Sequence, residues 1–429
     1  MRSTPLIVML LLAVAAGPTA ATAKDDTANS AAANDAPGKY PLAEQGPEPR
    51  PIDPPTREAI QASINRGVDF LLDDQRPDGG WGSPENTKGL NIYAPVPGAH
   101  DGFKLAVAGL VVQALCECED TLDADRRQRV DDALERGAEW MLANHEKVRR
   151  SAADAIYNTW GHAYGISGFV ALHQRAAGDA DLQARLKQAA QFQADQLKRY
   201  AYLSGGWGYY DFDHVAKIPG SSPNSFTTAT GMISLHDAEA IGVTFPEKLM
   251  DKAAASVIRQ RNPDFSYAYG EYLMYSPRLG INRPAGSLGR SQACNAALRM
   301  WGDDVISDNV LRAWLKRLFA RNGWLGIGRK RPVPHESYFQ VAGYFYYYGH
   351  YYAAMCIDML PEDERPYYQD HLASILLPLQ EKDGSWWDYP FYNYHQQYGA
   401  AMSLYCLRHC LHGEPVSPGD DEAVAQAAL

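Results

Sequence analysis

The sequence predicts an all-α fold, a closed toroid of six helix pairs with one ring of helices inside another. Two kinds of helical segment alternate along the chain, one with an apolar stripe and one apolar on most sides. Corners of the form Gln-x-x-x-Gly-x-Trp recur between them, and no run alternates apolar with polar residues as a half-buried strand would.

The first pair, residues 56 to 118, opens with Ile60, Ile64, Val68, Leu71 and Leu72 at helical spacing and ends in the small, apolar stretch Leu105 to Leu115. In the second, 128 to 176, Val130, Leu134, Ala138 and Met141 repeat the stripe, and Tyr164 to Leu172 repeats the apolar helix. The pairs 183 to 241, 246 to 301, 308 to 360 and 366 to 411 close on Thr227 to Leu235, Ser291 to Met300, Tyr351 to Met359 and Tyr398 to Leu407. Striped helices belong outside with one wet face, and uniformly apolar ones inside. A ring of this length is sustainable as one domain because each pair packs mainly on its neighbours.

The corner is complete in Arg66-Gly67-x-x-Phe70-Leu71-x-x-x-Gln75-x-x-x-Gly79-x-Trp81 and recovers in Gln380-Glu381-Lys382-Asp383-Gly384-Ser385-Trp386. A second copy keeps Arg136-Gly137-x-x-Trp140-Met141 with His145 in place of Gln. A third keeps Gly205-Gly206-Trp207-Gly208, a fourth Gln260, and a fifth Asn322-Gly323-Trp324. Gln can bond the backbone of the turn that follows it, Gly permits the reversal, and Trp caps the packed corner, so these residues stiffen the scaffold.

This pattern resembles the QW motif of squalene and oxidosqualene cyclases, and the helix pairs over residues 56 to 411 resemble the terpenoid cyclase and protein prenyltransferase superfamily. The resemblance implies the toroid more firmly than an activity. The D-x-D-D acid motif of squalene-hopene cyclases is absent, Asp123-Ala124-Asp125 and Asp303-Asp304 being near misses. Prenyltransferase β subunits hold zinc with Asp-x-Cys and a later His. Here Gln292 stands where that Asp is expected, followed by Cys294, with His395 as third ligand, so no metal site and no cofactor is assigned. The G-C-G-E-Q of thioester domains is also missing. Whether the chain is an enzyme stays open at this point.

Residues 1 to 23 read as a secretory signal, with Arg2, the apolar run Leu6 to Ala16 and Ala21-Thr22-Ala23 before Lys24. The run is too short to span a bilayer, so the expectation is an exported protein, periplasmic or secreted, without a stable membrane anchor. Residues 24 to 55 have the Ala- and Pro-rich composition of a linker, and residues 412 to 429 that of a loose tail. The net charge of -11, or -12 once Arg2 is removed, argues against nucleic acid and anionic membranes as partners. A small-molecule or lipid-like ligand, or a protein or glycan partner, fits better. The six Cys are expected as buried thiols, a Cys356 to Cys406 bridge being the alternative.

With six outer-corner-inner units, every inner helix starts at one mouth of the ring, where helix dipoles present their positive ends. The residues there are polar and aromatic: His100, Asp101 and Lys104; Tyr157, Trp160, His162 and Tyr164; Thr227 and Thr228; Arg290 and Gln292; Tyr348, His350 and Tyr351; Tyr394, His395 and Gln396. From these, Asp101, His162, His350 and His395 are the catalytic candidates by acid-base chemistry. Trp160, Tyr164, Arg290, Gln292, Tyr348, Tyr351, Tyr394 and Gln396 are the ligand-binding candidates. The basic run Arg329-Lys330-Arg331 with His335-Glu336, and the loop residues Asp211, Asp213 and His214, are read first as solvated surface. The function expected is a cavity that binds, and if catalytic transforms, an isoprenoid-like or amphiphilic molecule. The alternatives are a non-catalytic scaffold for a protein or glycan partner and a polysaccharide-acting enzyme on the same barrel.

Overall fold

The computed structural model describes residues 38–89, 99–148, 158–209, 222–332 and 340–412. Residues 1–37, with the expected secretory signal and the first part of the expected linker, the tail beyond His412, and Tyr157, Asp211, Asp213, His214, His335 and Glu336 lie outside them. Among the described residues the regular structure is helical, with isolated β-bridges such as Ser83 to Asn393.

The outer helices are α2 (Arg57–Asp73), α4 (Ala124–Asn144), α6 (Ala180–Tyr200), α8 (Glu247–Arg259), α10 (Asp308–Ala320) and α13 (Arg365–Leu376). The inner ones are α3 (Ala99–Cys118), α5 (Asn158–Arg175), α7 (Ser225–Glu239), α9 (Pro284–Met300), α12 (Phe345–Asp358) and α14 (His395–His409). Short helices α1 (Pro41–Glu44) and α11 (Asn322–Gly326) complete the set. Each inner helix packs on the inner helices before and after it, and α14 packs on α3, so the ring closes. Each outer helix sits against two consecutive inner helices, α2 closing the circle between α14 and α3. The six expected pairs and the α/α toroid are therefore present, and the wall is a double layer because only the inner helices are apolar all round.

The corners explain how one unit is locked to the next. Gln75 Nε2 donates to Gly79 O at 2.9 Å and to Ala133 O of α4 at 2.8 Å, and Trp81 Nε1 donates to Leu71 O at 2.8 Å. Gln380 repeats this at the seam, donating to Gly384 O at 2.9 Å and to Ser63 O of α2 at 3.0 Å, with Trp386 Nε1 on Leu376 O at 3.0 Å. The Arg-Gly of one unit receives the Gly-x-Trp of the unit before it. A Cβ on Gly137 would strike Trp81, and one on Gly67 would strike Trp386.

Where the motif decays, the geometry often persists. Residues 202–206 close with Tyr202 N to Gly206 O at 3.0 Å, and Trp207 Nε1 meets Leu197 O at 2.7 Å. The fourth corner is 262–266, closed by Asn262 N to Ser266 O at 2.8 Å, with Phe265 at φ 56° in the Gly place and buried Tyr267 in the Trp place. Gln260 bonds its own helix instead, through Nε2 to Ser256 O at 3.2 Å. In the second unit, buried Gln193 of α6 reaches back to His145 O at 3.1 Å, supplying from the next helix the amide that the corner lacks. Asn322-Gly323-Trp324 makes α11 rather than a packed corner, and Trp324 is 44% exposed.

The segment 39–56, of linker composition, lies along α10. Arg317 donates to Leu42 O and to Gln45 O (2.6 Å), Lys316 pairs with Glu48 at 2.7 Å, and Ala43 is fully buried. All six cysteines are free thiols, five of them buried. No described helix is long and apolar enough to cross a membrane.

Candidate functional site

The helices differ in how they begin. Outer helices α2, α4, α6 and α10 are capped by side chains of Thr56, Asp123, Asp179 and Ser307, which accept from the N–H three residues on. Outer helices α8 and α13 have no side chain in that role, and neither do inner helices α7, α9, α12 and α14. The first N–H groups of these inner helices add to the positive potential at that end of the ring.

An aromatic cluster fills this end. Trp160 stacks on Tyr164 at 5.7 Å and packs against Tyr209, Phe226 and Tyr348 at 5.9 to 6.5 Å. Phe226 in turn meets Tyr269 at 5.0 Å and Phe345 at 4.9 Å. The hydroxyls of Tyr209, Tyr269 and Tyr344 form a triad, Tyr269 to Tyr344 being 3.0 Å and Tyr209 to Tyr344 3.3 Å. Burial raises the hydroxyl pKa of Tyr209 and Tyr269 well above the usual phenol value, so both stay protonated. Trp160, Tyr209 and Tyr344 keep part of their surface exposed, whereas Tyr269, Phe226, Phe345 and Tyr348 are buried.

Arg290 supports the cluster from below. Its Nε donates to Tyr267 O at 2.8 Å, one terminal nitrogen to Gly286 O at 3.0 Å and the other to Ile281 O, and the guanidinium lies 5.8 Å from the rings of Tyr269 and Phe345. Burial lowers its pKa to about 10, which leaves it charged at neutral pH. It fastens the segment that carries Tyr269 to α9.

The three histidines are not brought together. His162 Nδ1 donates to Gln193 Oε1 of α6 at 2.6 Å, because Gln193 Nε2 is already committed to His145 O. His350 Nδ1 donates to Tyr346 O at 2.6 Å, and its Nε2 accepts from Asn322 Nδ2 at 2.7 Å. His395 Nδ1 donates to Tyr392 O at 2.6 Å and its ring packs on Trp387 at 5.4 Å. Each is buried, and burial lowers each pKa to about 4. Gln292 donates to Trp314 O of α10 at 3.0 Å, and Gln396 to Asp383 and Ser385 of the last corner at 2.8 Å. Tyr394 OH meets His100 Nδ1 at 3.1 Å, and its phenol pKa is raised chiefly by burial and further by the charge of Asp101 in the first turn of α3. Tyr351 donates to Gln113 Oε1 of α3 at 2.8 Å. Among the described residues no group of three or more His, Cys, Asp or Glu side chains could hold a metal, and Cys294, with its pKa raised to about 12 by burial, is a poor thiolate ligand.

Asp388 was not among the residues singled out from the sequence. It is fully buried, accepts from the Tyr398 hydroxyl and from Tyr347 N at 3.1 Å, and burial raises its pKa to about 6. It stands two residues past Trp386, as Tyr209 stands past Trp207 and Tyr269 past Tyr267. Inward residues thus occupy one position of the corner repeat, a register visible in the sequence once the fourth corner is recognised.

These groups set an acid response. Each histidine takes up its proton near pH 6.5 when unfolded but near 4 when folded, so the stability it contributes is present above 6.5 and lost as pH falls through that window. Asp388 has the opposite sign, favouring the folded state below its unfolded pKa and losing that contribution as pH rises to about 6. For these four groups the net expectation is an uptake of about two protons on unfolding near pH 5. Asp388→Asn should raise that uptake to about three, measured as the slope of unfolding free energy against pH for both proteins. An unchanged slope would remove Asp388 from the account.

No protein-family model matches the sequence, and a search of curated proteins finds no match. Among solved structures, the apo form of the type II terpene cyclase MstE from Scytonema aligns with a TM-score of 0.44 and 13% identity, over 82% of this chain and 98% of its own. The fold assignment rests on the ring connectivity of the chain itself.

Proposed function

We propose that the protein is an exported, terpenoid-cyclase-like ring whose inner-helix mouth binds an amphiphilic or isoprenoid-like small molecule. The observation that carries this reading is the aromatic surface that runs from the partly exposed Trp160, Tyr209 and Tyr344 onto Phe226, Tyr269 and Phe345. Such a surface offers an apolar body flat faces for packing, and the three linked hydroxyls offer its polar end hydrogen bonds. Aromatic faces also favour positive charge developing on a bound molecule. If a reaction follows binding, the proton donor proposed is Asp388, which is fully buried against Tyr347 and Tyr398 and whose pKa burial raises to about 6.

Titration of the purified protein with farnesol, followed by tryptophan fluorescence, tests the reading. Saturable binding is expected, weakened about tenfold by Trp160→Leu and unchanged by Trp324→Leu on the outer face. Absence of saturable binding would reject it. A second reading, a ring that binds a glycan or protein partner, draws on a groove of about 810 Å³ on the outer face, with Phe319, Trp324 and Ile375 beside Pro47 and Pro49. Partner capture abolished by Trp324→Ala, with no farnesol binding, would favour it.

A further inference from the structure

Around the ring, α12 has α9 and α14 as its inner neighbours, so any of its side chains that bonds α3, α5 or α7 has crossed the lumen. Three do so. The Tyr348 hydroxyl lies 3.0 Å from Phe226 O and 3.0 Å from Thr230 Oγ1, both on α7. The Tyr352 hydroxyl lies 2.9 Å from the same Thr230 oxygen and 3.4 Å from the Tyr164 hydroxyl of α5, the helix opposite in ring order. Tyr351 reaches the other way, to Gln113 of α3 at 2.8 Å.

The spacing 348, 351, 352 puts these tyrosines on one helical face. Their rings also lean on one another, Tyr348 to Tyr352 at 4.7 Å, Tyr351 to Tyr352 at 4.9 Å and Tyr351 to Tyr405 of α14 at 4.7 Å. None of the three α12 tyrosines is more than 5% exposed.

We infer that Tyr348, Tyr351 and Tyr352 form a bar across the lumen that fixes ligand length, so the mouth accepts a compact isoprenoid-like molecule and rejects a long-chain one. The inference rests on the reading of the mouth as a binding site. A chain pushed deeper would have to break hydroxyl bonds in a buried setting, and an apolar chain replaces none of them. The bar is also closely packed, so there is little slack to absorb an extra isoprene unit.

Geraniol, farnesol and geranylgeraniol differ by one isoprene unit at each step, and the experiment is their affinity for the wild-type protein by tryptophan fluorescence. Apolar burial alone would make affinity rise along the series. With the bar in place it should instead fall about tenfold from farnesol to geranylgeraniol. Tyr348→Ala combined with Tyr352→Ala should reverse the order, while Tyr352→Phe, which keeps the ring, should preserve it. Affinity that rises along the series in the wild type overturns the bar and leaves the mouth as the site. Failure of all three alcohols to bind overturns both. Should the double variant not fold, the wild-type ranking decides by itself.

Discussion

Gly384→Ala is expected to destabilise the protein by at least about 3 kcal/mol, against about 1 kcal/mol for Gly178→Ala, when both are measured by urea unfolding. Both glycines have positive φ, 90° and 102°, so the backbone strain of adding a Cβ is similar. They differ in what that Cβ would meet. At Gly178 nothing lies within 4 Å, whereas at Gly384 the carbonyl of Arg66 lies closer than any real Cβ approaches. Arg66 belongs to the first outer helix and Gly384 to the last corner, so the collision falls on the seam that closes the ring. Equal losses at the two sites would mean that the seam is not held by this contact.

Arg290→Ala should be the most damaging single change near the mouth, costing about 3 to 5 kcal/mol in the same assay. Removing the guanidinium strands the carbonyls of Tyr267 and Ile281, both bonded to it in the native state, and leaves a void in a fully buried site. Arg290→Lys should recover only part of the loss, because one ammonium cannot reproduce a planar fork that spans three carbonyls. As a surface comparison, Arg185→Ala should cost less than about 1 kcal/mol, since its partner Glu139 is 60% exposed in the side chain. A loss at Arg290 no greater than at Arg185 would show that the 267–286 segment is held by other means. Because that segment carries Tyr269, Arg290→Ala should also weaken farnesol binding.

Much of the mouth was legible because helical spacing reports orientation. On α5, Trp160 and Tyr164 are four residues apart and join the inner aromatic cluster, while His162 between them turns to Gln193 of the outer layer. On α12 the same division separates Tyr348 and Tyr352 from Tyr346 and His350, which face α11. Reading the histidines by proximity to a helix start, without that rotation, grouped side chains that the fold directs to different partners. Tyr209, Tyr269 and Asp388 were missed for another reason. They lie in corner loops, outside any helical period, and the corner register they share is masked because the fourth corner has Phe265 and Tyr267 in the Gly and Trp places.

The sequence by itself determined the ring. Alternating stripes of hydrophobicity divide outer helices from inner ones, and the Gln-Gly-Trp corner carries its own bonding instructions within a few residues, so both are local facts. It also determined that the aromatic residues of α5 and α12 share a face. The tertiary structure alone decided what that face meets. Tyr352 bonds Thr230 and Tyr164 across the lumen, Gln380 bonds α2 from the far end of the chain, and Arg290 gathers the Tyr267 and Ile281 carbonyls of a segment without a period. Those contacts depend on the closure of the ring, which sets distances between residues that local spacing leaves free.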